Sequence, residues 1–273
     1  MTKTIKTINK WVFIAACTAA FGNIASALDG STSSGLVDED AAYAALDNSA
    51  TDNIFGTDDR KPITTKDYPW SPIGYLSSGC TGTLVSKDMV VTAAHCVLNG
   101  SGATAKPMWD IKFSPNRING VAADTSGINW MWYGTNDPDK NRESDWALIR
   151  LTNPLGSKYG WMGTKTHENI DRVTIAGYSA DYNNGKTATA NIGCYVKKRT
   201  GNIWLHDCDM TRGASGGPMF TMINNSPEIL GLNVAERRNG GTVSLTLPEY
   251  TEKNANIAIP TKMFLAKLKE MVK

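Results

Sequence analysis

A chain of 273 residues with 41% apolar and 20% charged residues has the composition of a packed globular protein. Its 28 basic and 26 acidic residues leave a net charge of +2, too little to draw nucleic acid or an anionic membrane surface, so both are set aside as partners. No stretch reaches the roughly 20 apolar residues that a spanning helix needs.

The chain opens on Lys3, Lys6 and Lys10, then the apolar run Trp11 to Ala16, then the small residues Ala25-Ser26-Ala27. That order predicts a signal peptide over residues 1–27, removed on export, and a secreted protein. Ile14-Ala15-Ala16-Cys17 resembles a lipoprotein box, and membrane attachment enters only through lipidation of Cys17. The short apolar run before Cys17 and the later cleavage site favour release. Residues 28–53 are rich in Ser, Asp, Ala and Gly and read as a pro-segment or flexible leader.

Beyond Asp59-Arg60, short apolar runs alternate with Gly, Pro, Asn and Asp, the texture of an all-β protein. Strands are predicted at 73–76, 81–85, 89–92, 146–151, 172–176, 188–196, 218–222, 229–234 and 256–259. Asn183-Asn184-Gly185 and Arg238-Asn239-Gly240-Gly241 supply turns between some of them. After Pro260-Thr261, the residues Met263, Phe264, Leu268, Met271 and Val272 recur at helical spacing between lysines, which predicts one C-terminal amphipathic helix. No internal repeat or long linker occurs within residues 60–273, so residues 54–273 are expected to form one catalytic domain, and the protein is expected to be a monomer.

Loss of the signal peptide removes Cys17 and leaves Cys80, Cys96, Cys194 and Cys208. An even number in an exported protein implies two disulfides. Of three connectivities, Cys80 with Cys96 and Cys194 with Cys208 is the simplest, each closing a short loop for about 3 kcal/mol. No Cys-x-x-Cys pair occurs, so zinc is not expected, nor is any other metal or an organic cofactor.

Only three histidines are present. His95 follows the β-prone run Met89 to Thr92 and precedes a cysteine able to pin its loop, a rigid mount suited to a general base. Ser215 lies in Gly213-Ala214-Ser215-Gly216-Gly217, where glycine lets the amides of Gly213 and Ser215 converge on one point, as an oxyanion hole requires. A serine hydroxyl needs such a neighbouring base to act as a nucleophile. Asp145 stands at the mouth of the apolar run Trp146 to Leu151, where burial suits an acid that orients an imidazole. Asp110, Asp124, Asp137 and Asp139 lie in loop-like sequence and read as solvated carboxylates.

T-A-A-H-C, S-D-W-A-L-I-R-L and G-A-S-G-G-P, in the order His, Asp, Ser, resemble the chymotrypsin-like serine proteases. Within them the chain is similar to the bacterial glutamyl-endopeptidase branch, through Asp58-Asp59-Arg60, Tyr68-Pro69-Trp70, Cys80-Thr81-Gly82-Thr83-Leu84, Asn153-Pro154-Leu155-Gly156 and Ile175-Ala176-Gly177-Tyr178. The resemblance implies two six-stranded antiparallel β-barrels with the active site between them, followed by the C-terminal helix. It also implies endopeptidase action on proteins or peptides through His95, Asp145 and Ser215, with Gly213 and Ser215 amides as the oxyanion hole.

Two departures bear on activation and specificity. An Ile-Val-Gly-Gly start is absent, and Ala214 stands where trypsins carry the aspartate that receives a new N-terminus, so cleavage before Ile54 is expected instead. The resemblance places Asp209, Met210, Asn233 and Glu236 around the primary specificity pocket. Asp209 lies where trypsins place the acid that selects Lys or Arg, yet Asn233 replaces the histidine typical of glutamyl endopeptidases, and Arg212 can also border the pocket. His167 and His206 are expected at the surface, and Trp109, Trp130, Trp132, Trp161 and Trp204 in the core or cleft walls. The rival readings are an esterase with the same triad, against which the His, Asp, Ser order argues, and a secreted binding module on a protease fold.

Overall fold

Apolar and β-branched runs such as Met89-Val90-Val91-Thr92 are buried on both faces, which extended backbone allows only when strands pair on either side and a second layer covers them. The computed structural model describes residues 53–237 and 248–272, all within the unit Ala50–Lys273. The predicted signal peptide, almost all of the leader, Cys17 and the turn at Arg238 to Gly241 lie outside the described residues.

The first sheet contains β1 (Ile73–Leu76), β2 (Cys80–Leu84), β3 (Met89–Thr92), β4 (Phe113–Pro115), β5 (Ile128–Tyr133) and β6 (Ala147–Leu151). Their antiparallel order is β4-β1-β2-β3-β6-β5. Reciprocal 2.9 Å bonds between Phe113 and Ser126 join its two edges at one point, so this barrel closes through a single bridge and not a ladder.

The second barrel contains β7 (Arg172–Gly177), β8 (Thr189–Thr200), β9 (Ile203–His206), β10 (Pro218–Ile223), β11 (Ser226–Glu236) and β12 (Asn256–Pro260). The order β8-β7-β10-β11-β12-β9 closes fully because β9 pairs back onto β8. Lys61–Pro62 adds to the outer edge of β8, and Gly163–Thr164 runs parallel to β11. The expected pair of six-stranded antiparallel barrels is therefore present.

Helix α1 (Lys262–Met271) follows β12 directly. Its Phe264, Leu268 and Met271 are buried on one face, as the periodicity predicts. Although it leaves the second barrel, it packs against the first: Phe264 meets Trp146 at 6.5 Å between ring centroids, and Arg150 donates to the Met271 carbonyl.

Both disulfides have the expected pairing, Cys80 with Cys96 and Cys194 with Cys208. Two other expectations need correction. His206 is wholly buried on β9 and not at the surface. Trp204 is in the core, but Trp109, Trp130 and Trp161 are each about half exposed. Trp109, Trp130 and Trp132 instead form a row along the outside of the first sheet, with adjacent ring centroids 6.1 and 5.6 Å apart.

Candidate active site

Register brings the first two site residues together. Thr92 pairs with Ala147 across β3 and β6, so the turn after β3 and the approach to β6 share one end of the sheet. The turn Ala94–Cys96 carries His95, and Asp145 ends the turn Arg142–Ser144. Asp145 is completely buried. Its Oδ1 accepts the His95 main-chain N–H at 3.0 Å, and its Oδ2 lies 2.8 Å from His95 Nδ1. One carboxylate thus fixes both the backbone and the ring of His95, while the ring remains one-third exposed. A buried, hydrogen-bonded carboxylate on Nδ1 favours the tautomer that leaves Nε2 as the acceptor.

Ser215 sits in the loop between β9 and β10. Thr81, fully buried on β2, holds this loop to the first barrel: its N–H donates to the Ser215 carbonyl at 2.9 Å and its Oγ1 to the Gly213 carbonyl at 2.8 Å. Thr81 Oγ1 also accepts the Tyr178 N–H, and the Thr81 carbonyl accepts Thr92 Oγ1 at 2.7 Å. This hub went unnoticed in the sequence, where Thr81 stood only within the C-T-G-T-L match. The Cys80–Cys96 bridge then locks the residue beside the hub to the turn carrying His95.

Within residues 213–217, the amides of Ala214, Gly216 and Gly217 donate to the carbonyls of Thr211, Asn233 and Ala214. Among the described residues, no acceptor meets the amides of Gly213 and Ser215. Both N–H groups are left without an acceptor among these residues, and the φ of Gly213 is +93°, in the left-handed region open to glycine. Neither His95 Nε2 nor any other described group hydrogen-bonds Ser215 Oγ, a contact that often tightens only when substrate is present.

Gly216 is the close approach between the two loops. At its φ of +79°, an added Cβ would lie 2.1 Å from Thr92 Oγ1, 2.4 Å from the Thr81 carbonyl oxygen and 2.8 Å from the Ala93 nitrogen. Two of these are backbone atoms that cannot swing aside. Gly216→Ala is expected to destabilise the fold by at least about 2 kcal/mol, lowering Tm by roughly 4–8 °C. An unchanged Tm in thermal unfolding would refute this packing argument.

The residues expected around the pocket differ in burial. Met210 and Asn233 are buried, and Glu236 is exposed near the end of β11. Asp209 is 3% exposed, and its carboxylate faces the segment before the first barrel, accepting the Phe55 and Asp59 amides at 2.8 and 3.0 Å. Burial pushes its pKa up to about 6 against the lowering effect of those two bonds.

His206 has neither ring nitrogen hydrogen-bonded. Burial pushes its pKa down to about 3, and the nearby Asn233 amide opposes that shift without reaching hydrogen-bond geometry. Folded His206 stays neutral where the unfolded imidazole gains a proton near pH 6.5. Stability held through His206 is therefore complete above about pH 6.5 and lost as pH falls toward 3. Asp209 acts oppositely, since the fold holds its proton more tightly, and stabilises as pH falls from about 6 to about 4. Comparing variants cancels Asp209. Between pH 7 and 5, the wild type should lose about 2 kcal/mol more than His206→Leu in urea unfolding, and equal losses would refute the assignment.

Cys80, His95 and Cys96 place potential ligand atoms within 4.8 Å of one another. Both cysteine sulfurs are bonded to each other, which leaves the imidazole as the one available ligand and suits no metal centre. The geometry instead offers an oriented base, a hydroxyl nucleophile on an adjoining loop and two free amides, the parts needed for acyl transfer.

Comparison with known proteins points the same way. The sequence profile of the Trypsin family matches residues 56–252. Serine protease 23 of Rattus norvegicus is 28% identical over 205 residues, covering 64% of this chain and 52% of that protein. Glutamyl endopeptidase of Bacillus licheniformis is 28% identical over 198 residues, covering 69% of this chain and 61% of its own length. The chain thus spans about half the length of serine protease 23. Among solved structures, a Glu endopeptidase in complex with MPD superposes with a TM-score of 0.66 at 20% identity, over 80% of this chain and 98% of that one. The protease Anisep from Arthrobacter nicotinovorans superposes at 0.56 with 22% identity, over 74% and 93%. At these identities the two structures speak for the fold.

Proposed function

The chain belongs to the trypsin family of serine proteases, and we propose that it is a secreted endopeptidase, made as a preproprotein, that cuts protein or peptide substrates through His95, Asp145 and Ser215. The observation that carries this reading is the pair of amides at Gly213 and Ser215 that lack acceptors, set beside an imidazole anchored by a buried carboxylate.

In this mechanism Ser215 Oγ attacks the scissile carbonyl carbon and its proton passes to His95 Nε2. The carbonyl oxygen, now negative, takes the Gly213 and Ser215 N–H bonds, while Asp145 stabilises the imidazolium through Nδ1. The tetrahedral intermediate collapses as His95 gives its proton to the leaving amine. Water, deprotonated by His95, then attacks the acyl-enzyme, and the acid product leaves with Ser215 restored. No step calls for a metal or organic cofactor.

Export would remove residues 1–27 and maturation residues 28–53, and the two disulfides suit an oxidising compartment. Digestion of an unbiased peptide library by the matured protein and by Ser215→Ala tests the reading. Cuts that vanish in Ser215→Ala support it. A library left intact by both would favour a binding module, and the residue before each cut reports basic or acidic preference.

A further inference from the structure

We propose that Asp209 is a positioning residue for catalysis: it holds the strap Ile54–Arg60 against the loop that carries Ser215, and it does not read the substrate side chain. The proposal rests on the protease reading for its kinetic consequence, although the contacts themselves stand apart from it.

A carboxylate that selects Lys or Arg must offer an oxygen to the incoming cation. Asp209 is buried, and each of its oxygens already takes a main-chain amide from the strap, Phe55 on Oδ1 and Asp59 on Oδ2. No lysine or arginine hydrogen-bonds it among the described residues. A basic substrate side chain would have to displace the strap to reach it.

Further contacts tie the strap to this loop and to its surroundings. In the chain not yet cut before Ile54, Asn256 Nδ2 also bridges the carbonyls of Asn53 and Cys208, at 3.0 and 2.7 Å. In that uncut chain Asn53 Nδ2 donates to the Arg237 carbonyl at 2.8 Å, and in either form the Phe55 ring stands edge-on to Tyr250. The Arg60 guanidinium, almost fully buried, binds Asp58 and Asp181. Asp181 accepts Thr211 Oγ1, and the Ala180 N–H donates to the Arg212 carbonyl. The strap therefore fixes Asp209 and Thr211, immediately before the oxyanion amide of Gly213.

Ala214 gives this arrangement its purpose. The residue before the nucleophile presents only a buried methyl and holds no carboxylate that could order the loop from within. Asp209 and Arg60 supply that order from outside, by pinning the loop's first half to a segment about 150 residues earlier.

The test compares Asp209→Asn, Arg60→Gln and the double variant on the matured protein, well below their unfolding temperatures. Asn retains one acceptor but turns an NH₂ toward a strap amide. Misplacing the oxyanion amides should lower kcat by up to about 10²-fold in each single variant, with KM and residue preference unchanged. Because both variants act through one strap, the double variant should lose less than the product of the single losses. Hydrogen exchange at the bonded amides of Ala214 and Gly216 should quicken in both, while Val90 and Ile149 in the first barrel stay protected.

The proposal is overturned if Asp209→Asn changes which residue precedes the cut, if the losses multiply independently, or if Ala214 and Gly216 exchange as in the wild type. A wild-type protein without Ser215-dependent cleavage would remove the protease reading alone. Exchange at Ala214 and Gly216 would still decide whether the strap orders the loop.

Discussion

Ser215→Ala is expected to reduce kcat by about 10⁶-fold, with KM and Tm close to their wild-type values, the scale seen when the nucleophile is removed from other serine proteases. The loss is large because covalent catalysis disappears entirely, leaving water to attack with only the Gly213 and Ser215 amides assisting. Those amides are main-chain groups, so they survive the substitution, and a residual acceleration of about 10³-fold over uncatalysed hydrolysis should remain. Ser215 anchors the loop through its carbonyl, bonded to Thr81, and Ala keeps that bond. Single-turnover measurement on an activated peptide ester checks the figure. A reduction below about tenfold would mean that another group performs the attack.

Asp145→Asn should reduce kcat by about 10⁴-fold at neutral pH while leaving the fold intact. Asn has nearly the shape of Asp and can still accept the His95 main-chain N–H. With that oxygen so engaged, its NH₂ faces Nδ1, and Nδ1 must then accept. The ring proton moves to Nε2, where it blocks removal of the Ser215 proton. Asp145 lies fully buried in a completed pair of hydrogen bonds, so the neutral substitute leaves no exposed charge behind. Turnover and Tm measured together separate this cause from misfolding. A fall in Tm matching the loss of activity would reassign Asp145 to a structural role.

The sequence announced residues whose chemistry is local. The turn after β3 and the loop before β10 carry their partners within a few positions, so His95 and Ser215 stood out against ordinary histidines and Gly-Ser turns. Nine of the twelve barrel strands were legible because their apolar runs end at clear turns. The other three lacked that signal. β4 is three residues ending in proline, β9 is the short run Ile-Trp-Leu-His, which ends in a polar residue, and β5 runs Ile-Asn-Trp-Met-Trp-Tyr with aromatic residues on its exposed face. Missing β9 also hid the burial of His206. The partners of Asp209 were out of reach for a different reason: they are backbone amides far away along the chain, and amides leave no trace in residue identity.

Helix α1 imposes an order on how this protein comes into being. The residues of α1 that pack over Trp146, next to Asp145, leave the ribosome long after the first-barrel strands they cover. Such long-range closure slows folding and leaves it unfinished until α1 has emerged. A nascent chain, or one cut before Lys262, would bear His95, Asp145 and Ser215 without the helix that packs on Trp146. Synthesis of α1 thus becomes a condition for the His95–Asp145 end of the first barrel to be fully packed.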